Sequence, residues 1–240
     1  MSIQLEMRYL FSCGALFIIM AFMSCKVYYP QPAPVPLISA KHELQLNGGI
    51  TLPPGLTGSV AYSPVSHLAV QVHGFLGPVG SDYWQGMVGY YWQNVQNLNF
   101  EVYGGLAGGK GKAMNVIGGP SLTGDYSICF TQFNFGQTRF GSRKMDYGIG
   151  LKAGILNVNI TDNGYYEQNG LDPVLYSNQY FLIEPMAFLR LGDKRLRTSF
   201  QVNGTSLINT IENQKQIPFH TLVFGISFTY LLSKENINEK

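Results

Sequence analysis

Gly104, Gly109 and Lys110, within the stretch GGLAGGKG at residues 104 to 111, hold the spacing of a phosphate-cradling loop, G-x-x-x-x-G-K-[ST]. Two features deny that chemistry. Gly111 stands where a hydroxyl would meet magnesium, and the following KAMNVIGGPSLTG offers no helix whose N-terminus could hold phosphate. A flexible loop is expected there instead. The other candidates are scattered: His42, His67, His73 and His220 show no paired ligand spacing, and the cysteines supply no thiolate cluster. No metal, no cofactor and no enzymatic activity are therefore expected. Among the charges inside greasy, alternating runs, Glu101, Lys152, Glu184 and Arg197 stand out. What they do depends on the elements that carry them.

Charged residues make up 12% of the 240-residue chain, about half of the ~25% usual in soluble domains. Mean hydropathy is nevertheless only +0.03, and no segment beyond the N-terminal leader offers the ~18 uninterrupted apolar residues of a spanning helix. Low charge, 28 glycines and 13% aromatics without such a helix point to β structure that meets two different solvents. The net charge of +2 is too small and too scattered to recruit nucleic acid.

Ten runs with period-two character follow residue 42, separated by turn-forming residues. They fall at 42–50, 55–62, 67–76, 82–92, 98–107, 125–136, 145–160, 178–190, 194–204 and 218–232. One face is apolar, as in Leu56, Val60 and Tyr62, or Tyr147, Ile149, Leu151 and Ile155. The other is small or mildly polar, as in Thr57, Ser59 and Ala61, or Gly148, Gly150 and Gly154. Apolar out and mild in, over lengths near the ~9 to 11 residues of a tilted membrane-crossing strand, predicts an antiparallel up-and-down transmembrane β-barrel. Ten strands are expected, or eight if the TLPPG hairpin is not a crossing. Apart from the compact TLPPG and GPVGS connections, short ones alternate with long, the asymmetry of periplasmic turns against external loops. An even strand count returns both ends of the barrel to one side.

The N-terminus reads as an export signal: Arg8, an apolar run, then Ser24 before Cys25. The run ends on a cysteine and so resembles the lipobox of bacterial lipoproteins, with Phe22 in place of the usual Leu three residues earlier. The domain reading is therefore a lipoprotein signal peptide at 1–24, a lipid-anchored Pro-rich tether at 25–41, the barrel at 42–232 and a periplasmic tail at 233–240. Cys129 stands alone in the mature chain, and no structural disulfide is expected.

The stretches CKVYYPQPAPVPLISAKHELQLNGGI, SPVSHLAV, MVGYYW, FEVYGGLAGG, FLIEPMAFLRLG and PFHTLVFGISFTYLL together resemble the small outer-membrane β-barrel lipoproteins of Bacteroidetes-type bacteria. That resemblance implies a place, the cell outer membrane with a lipid anchor and periplasmic termini, and a fold. It supplies no catalytic motif. Omptin proteases also have ten strands and carry acidic and His residues at the outer rim. Here Asp82, Asp125, Asp162 and Asp172 are expected near that rim, of the histidines only His73 approaches it, and no recognisable motif joins them. The expected role is structural or surface-interacting, with outer-membrane lipid as the partner. A narrow channel for small solutes and a lipid-tethered barrel binding an apolar ligand are the alternatives.

The same parity places the four charges. Lys152 shares its face with Gly148 and Gly150, and Glu184 lies opposite to Phe181, Ile183 and Leu189, so both belong in the lumen near mid-height. Glu101 and Arg197 should lie lower and approach each other across the interior. Direct pairing and solvation in a wet lumen are both open. Tyr83, Trp84, Tyr90, Tyr91, Trp92, Tyr180, Phe181 and Tyr230 gather near strand ends, where an interfacial girdle is expected.

Overall fold

A computed structural model describes residues 28, 34–77, 80–94, 96–113, 122–140, 145–162, 174–193, 195–210, 217, 219 and 221–232. The signal peptide, Cys25 and the 233–240 tail lie outside the described residues. The strands are β1 (Leu44–Leu52), β2 (Gly55–Val65), β3 (Leu68–Leu76), β4 (Asp82–Gln93), β5 (Leu98–Ala113), β6 (Leu122–Phe140), β7 (Met145–Asp162), β8 (Val174–Gly192), β9 (Leu196–Gly204), β10 (Ser206–Asn209) and β11 (Leu222–Leu232).

Each strand pairs antiparallel with its neighbour, and β1 closes on β11 with Leu44 opposite Leu232. β9 and β10 are two parts of one crossing, interrupted at Thr205. β8 pairs with β9 through Met186 to Gly192 and with β10 through Tyr180 to Ile183. The result is a closed, antiparallel ten-stranded barrel. The TLPPG hairpin is a true crossing, because β1 and β2 pair from Leu44 opposite Tyr62 up to Thr51 opposite Gly55.

The outward faces of the short strands are apolar, including Ile50, Leu56, Val72, Phe224 and Phe228. Their inward faces carry Gln45, Asn47, Ser59, Gln71, Ser199 and Thr229, all buried. A soluble sheet would place these faces the other way round. The aromatics divide by parity: Trp84, Tyr90, Trp92, Phe181 and Tyr230 are exposed outward, whereas Tyr83, Tyr91 and Tyr180 turn into the lumen. Only the first group can form a girdle.

The barrel is lopsided. β1 and β3 have 9 residues each, whereas β6 and β8 have 19, well beyond the ~9 to 11 needed for a crossing. The surplus stands at the upper rim, which bears the longer connections, away from the lower rim where Leu44 and Leu232 meet. The end of the GGLAGGKG stretch, residues 107–111, belongs to this surplus. The stretch is strand, not loop, since β5 continues to Ala113 in register with β4 and β6. Its glycines serve close packing: a Cβ at Gly105 would lie 2.6 Å from the Phe130 ring, and one at Gly109 2.6 Å from the Tyr126 hydroxyl.

Candidate functional site

The lumen is filled from below by polar wall residues, from above by apolar ones, and between them by described residues of the chain's own N-terminal segment, Tyr28 and 34–38. The expected tether is extended, but of its described residues Tyr28 and 34–38 are buried inside the barrel, whereas Ser39 and Lys41 are exposed. Tyr28, Val35, Leu37 and Ile38 are all buried.

Near the lower rim, Glu43 gathers the end of this segment. Its carboxylate accepts hydrogen bonds from the Ser39 amide (3.0 Å), the Ser39 hydroxyl (2.8 Å), the Ala40 amide (3.2 Å) and Gln45 Nε2 (2.6 Å). Slightly higher, Glu101 Oε1 accepts the Ile38 amide at 2.7 Å and its Oε2 accepts Asn134 Nδ2 at 2.9 Å. The wall also supplies donors to the segment's carbonyls. Asn99 Nδ2 reaches Leu37 O at 3.1 Å, Arg190 Nη1 reaches Pro36 O at 2.9 Å, and Gln71 Nε2 reaches Pro34 O at 2.7 Å. Prolines have no N–H to satisfy. A proline-rich segment in the lumen therefore presents mainly acceptors, and the wall answers with amide and guanidinium donors.

At mid-height Lys152 and Glu184 face each other across β7 and β8 as register partners. Lys152 Nζ lies 2.6 Å from Glu184 Oε2, with the side chains 1% and 0% exposed. The ammonium also lies 3.4 Å from both the Tyr83 hydroxyl and Gln85 Oε1, and sits over the Phe130 and Tyr83 rings at 5.2 and 5.7 Å from their centroids. Glu184 Oε1 accepts the Tyr28 hydroxyl at 2.7 Å and the Thr205 hydroxyl at 3.1 Å. The break between β9 and β10 thus falls where a side chain of the N-terminal segment meets the wall. Pro185, alongside, lacks the N–H that a continuous ladder would have used.

Above this level the lining turns apolar. Tyr126, Ile128, Phe130, Leu156, Val158 and Ile160 point inward in one cluster with Tyr28 and Ile217. Tyr28 stands edge-on to Tyr126 at 5.2 Å between centroids and forms a parallel β-bridge with Phe219.

Of the four charges, Lys152 and Glu184 are brought together. Glu101 and Arg197 find separate partners rather than each other, because Arg197 forms its ion pair with Asp146 on β7, while Glu101 is held by Ile38 and Asn134. Direct pairing rather than solvation describes the Lys152–Glu184 and Arg197–Asp146 pairs. Glu43, Asp146 and Arg190 were legible but not singled out: Asp146 shares parity with Lys152 on β7, and Arg190 shares parity with Glu184 on β8.

The histidines are dispersed. His42 Nδ1 lies 3.3 Å from the Tyr62 hydroxyl, His67 stacks on Tyr90, and His73 is buried beside Tyr83. His220 and Asp172 lie outside the described residues. Among the described residues no group of three or more His, Cys, Asp or Glu could hold a metal ion. Cys129 is a free, exposed thiol on the outer face of β6.

No protein family profile matches this chain, and no curated protein matches it. Solved structures do. The outer membrane protease OmpT from Escherichia coli superposes with a TM-score of 0.53 at 7% identity, covering 79% of this chain and 93% of that one. The KdgM porin gives a TM-score of 0.37 at 12% identity over 78% and 98% of the two chains. The N-terminal β-barrel domain of Pseudomonas aeruginosa OprF gives 0.36 at 11% identity over 81% and 100%. At these identities the similarity to OmpT extends to the fold alone: a closed antiparallel barrel of the outer-membrane type.

Proposed function

We propose that the protein is an outer-membrane β-barrel lipoprotein with a structural or surface-interaction role and no catalytic or transport activity. The observation that carries this reading is the occupied lumen: residues 34–38 and Tyr28 take up space a solute would need, fixed by Glu101, Gln71, Asn99, Arg190 and Glu184, while Glu43 holds Ser39 and Ala40 at the lower rim. The outward apolar belt supports membrane insertion and speaks against a tethered soluble barrel, whose greasy face would point inward throughout. In this reading the lower rim, with its short turns, is periplasmic, and the taller β5–β8 wall stands outside the cell.

Conductance is the test of role. The full chain reconstituted in a planar bilayer should give no stable single-channel current, and a sustained current would overturn the reading. Lipidation is tested separately by metabolic labelling with a fatty-acid probe. The label should appear on the wild-type chain and vanish in Cys25→Ala; label retained in that variant would eliminate Cys25 as the modified residue.

A further inference from the structure

The contacts of the N-terminal segment occur in height order. Tyr28 is anchored among Tyr126, Phe219 and Glu184, in the upper half of the lumen. Pro34 is held from Gln71 in the middle of β3, and Pro36, Leu37 and Ile38 are held from Arg190, Asn99 and Glu101 near the lower ends of β8 and β5. Ser39 and Ala40 are held by Glu43 just before β1 begins. Read backwards from β1, the described residues of the segment therefore stand successively higher in the lumen, from the lower rim toward the upper one.

We infer that the N-terminal segment is threaded through its own barrel, so that the residues before Tyr28 leave at the loop-bearing upper rim, opposite the rim shared by Leu44 and Leu232. The length of the segment fits the task. Twelve steps separate Tyr28 from Ala40, and an extended chain covers roughly 3.3 Å per step, enough to run most of the height of a ~30 Å hydrocarbon core. Three steps separate Tyr28 from Cys25, a reach of at most about 11 Å. An acyl chain on Cys25 then belongs to the loop side of the membrane and not to the leaflet beside the lower rim. This threads the N-terminus to the side opposite a periplasmic tether, while the two barrel ends still share one rim.

The inference rests on the membrane insertion proposed above, and its test separates the two. Three epitope-tagged full-length chains are compared on intact cells: a tag between Val27 and Tyr28, a tag after Gln168 in the β7–β8 connection, and a tag after Lys240. Threading predicts that the first tag behaves like the second and opposite to the third. An N-terminal tag that instead tracks the C-terminal one overturns the inference. A loop tag that is shielded while the C-terminal tag is reached overturns only the orientation, since the N-terminal tag must still follow the loop tag.

A second measurement does not depend on sidedness. In a Cys129→Ser background, Tyr28→Cys combined with Phe219→Cys places two thiols at a bridged pair of positions. Both thiols should resist alkylation after denaturation until reductant is added, whereas either single substitution should leave its thiol reactive. A double variant whose thiols both stay reactive without reductant would show that the segment does not occupy the lumen.

Discussion

The lower and upper halves of the β6–β7–β8 wall obey opposite rules within the same strands. In the lower half the outward residues are Phe133, Phe135, Ile149, Leu151 and Leu191, and the inward ones are Asn134, Asp146, Lys152, Glu184 and Arg190. In the upper half the outward rows read Ser127, Asn157 and Gln179, then Asp125, Asn159 and Ser177, all exposed, while the inward row Ile128, Leu156 and Tyr180 is buried. Leu175, exposed near the tip, is the exception. The exchange takes place over one step of the pleat. Inward, Gln132, Lys152 and Glu184 form the last polar row before Phe130, Gly154 and Leu182; outward, Cys129, Ile155 and Phe181 form the last apolar row before Ser127, Asn157 and Gln179. On the membrane insertion proposed above, a side chain on the outer face is chosen by what lies outside it, hydrocarbon below and water above. The comparison teaches that a single strand can change solvent without changing direction, register or pairing.

The comparison breaks most visibly at the polar row that ends the lower half. Removing one member of the Lys152–Glu184 pair leaves the other charge buried, which costs about 3 to 5 kcal/mol. Lys152→Ala and Glu184→Ala should each lower stability by that amount in urea unfolding of the protein folded into phospholipid vesicles. The double variant Lys152→Ala with Glu184→Ala should cost less than the sum of the two single losses, because neither charge is then stranded. Additive losses would mean that the pair is not a coupled unit.

The outer face sharpens the comparison at a smaller scale, on one strand. An arginine at Leu151 faces hydrocarbon and should cost roughly 2 to 4 kcal/mol. An arginine at Asn159, eight residues further along β7 and on the same face, should change stability by no more than about 0.5 kcal/mol. Equal penalties at the two sites, measured in the same vesicles, would show that lipid reaches the upper rows and that the change of solvent has been misplaced.

Much of the barrel was legible in the sequence because period-two alternation and turn residues are local signals. The ten runs match the ten crossings, mostly within a few residues, and parity placed Lys152 and Glu184 on the inner face. Two things were not legible, for physical reasons. The upper halves of β6 to β8 have alternation of the same period but the opposite sense, so a reading that assigns every greasy face to lipid misses Ile128, Leu156, Val158 and Ile160 as lining. The location of residues 34–40 is set by long-range partners: Glu101 lies 63 positions from Ile38, and Arg190 lies 154 from Pro36. Composition marks such a segment as extended and says nothing of what surrounds it. The pairing of Arg197 with Asp146 rather than Glu101 was hidden in the same way, since it depends on how strands lean around the closed barrel.

The prolines at 30, 32, 34 and 36 have a consequence for assembly. In an extended strand, alternate residues point their N–H groups to the same edge, so four prolines at every second position leave one edge with no donor at all. Such an edge cannot take a place in a β-ladder. During closure the free sides of β1 and β11 must find each other, and a neighbouring segment of ordinary composition would compete as an additional strand or as a template for another chain. Insertion between β1 and β11 would need both edges to pair, and this segment is barred from that by its own backbone. It stays available to the lumen, where the wall offers donors rather than a ladder, and β1 is left to pair with β11.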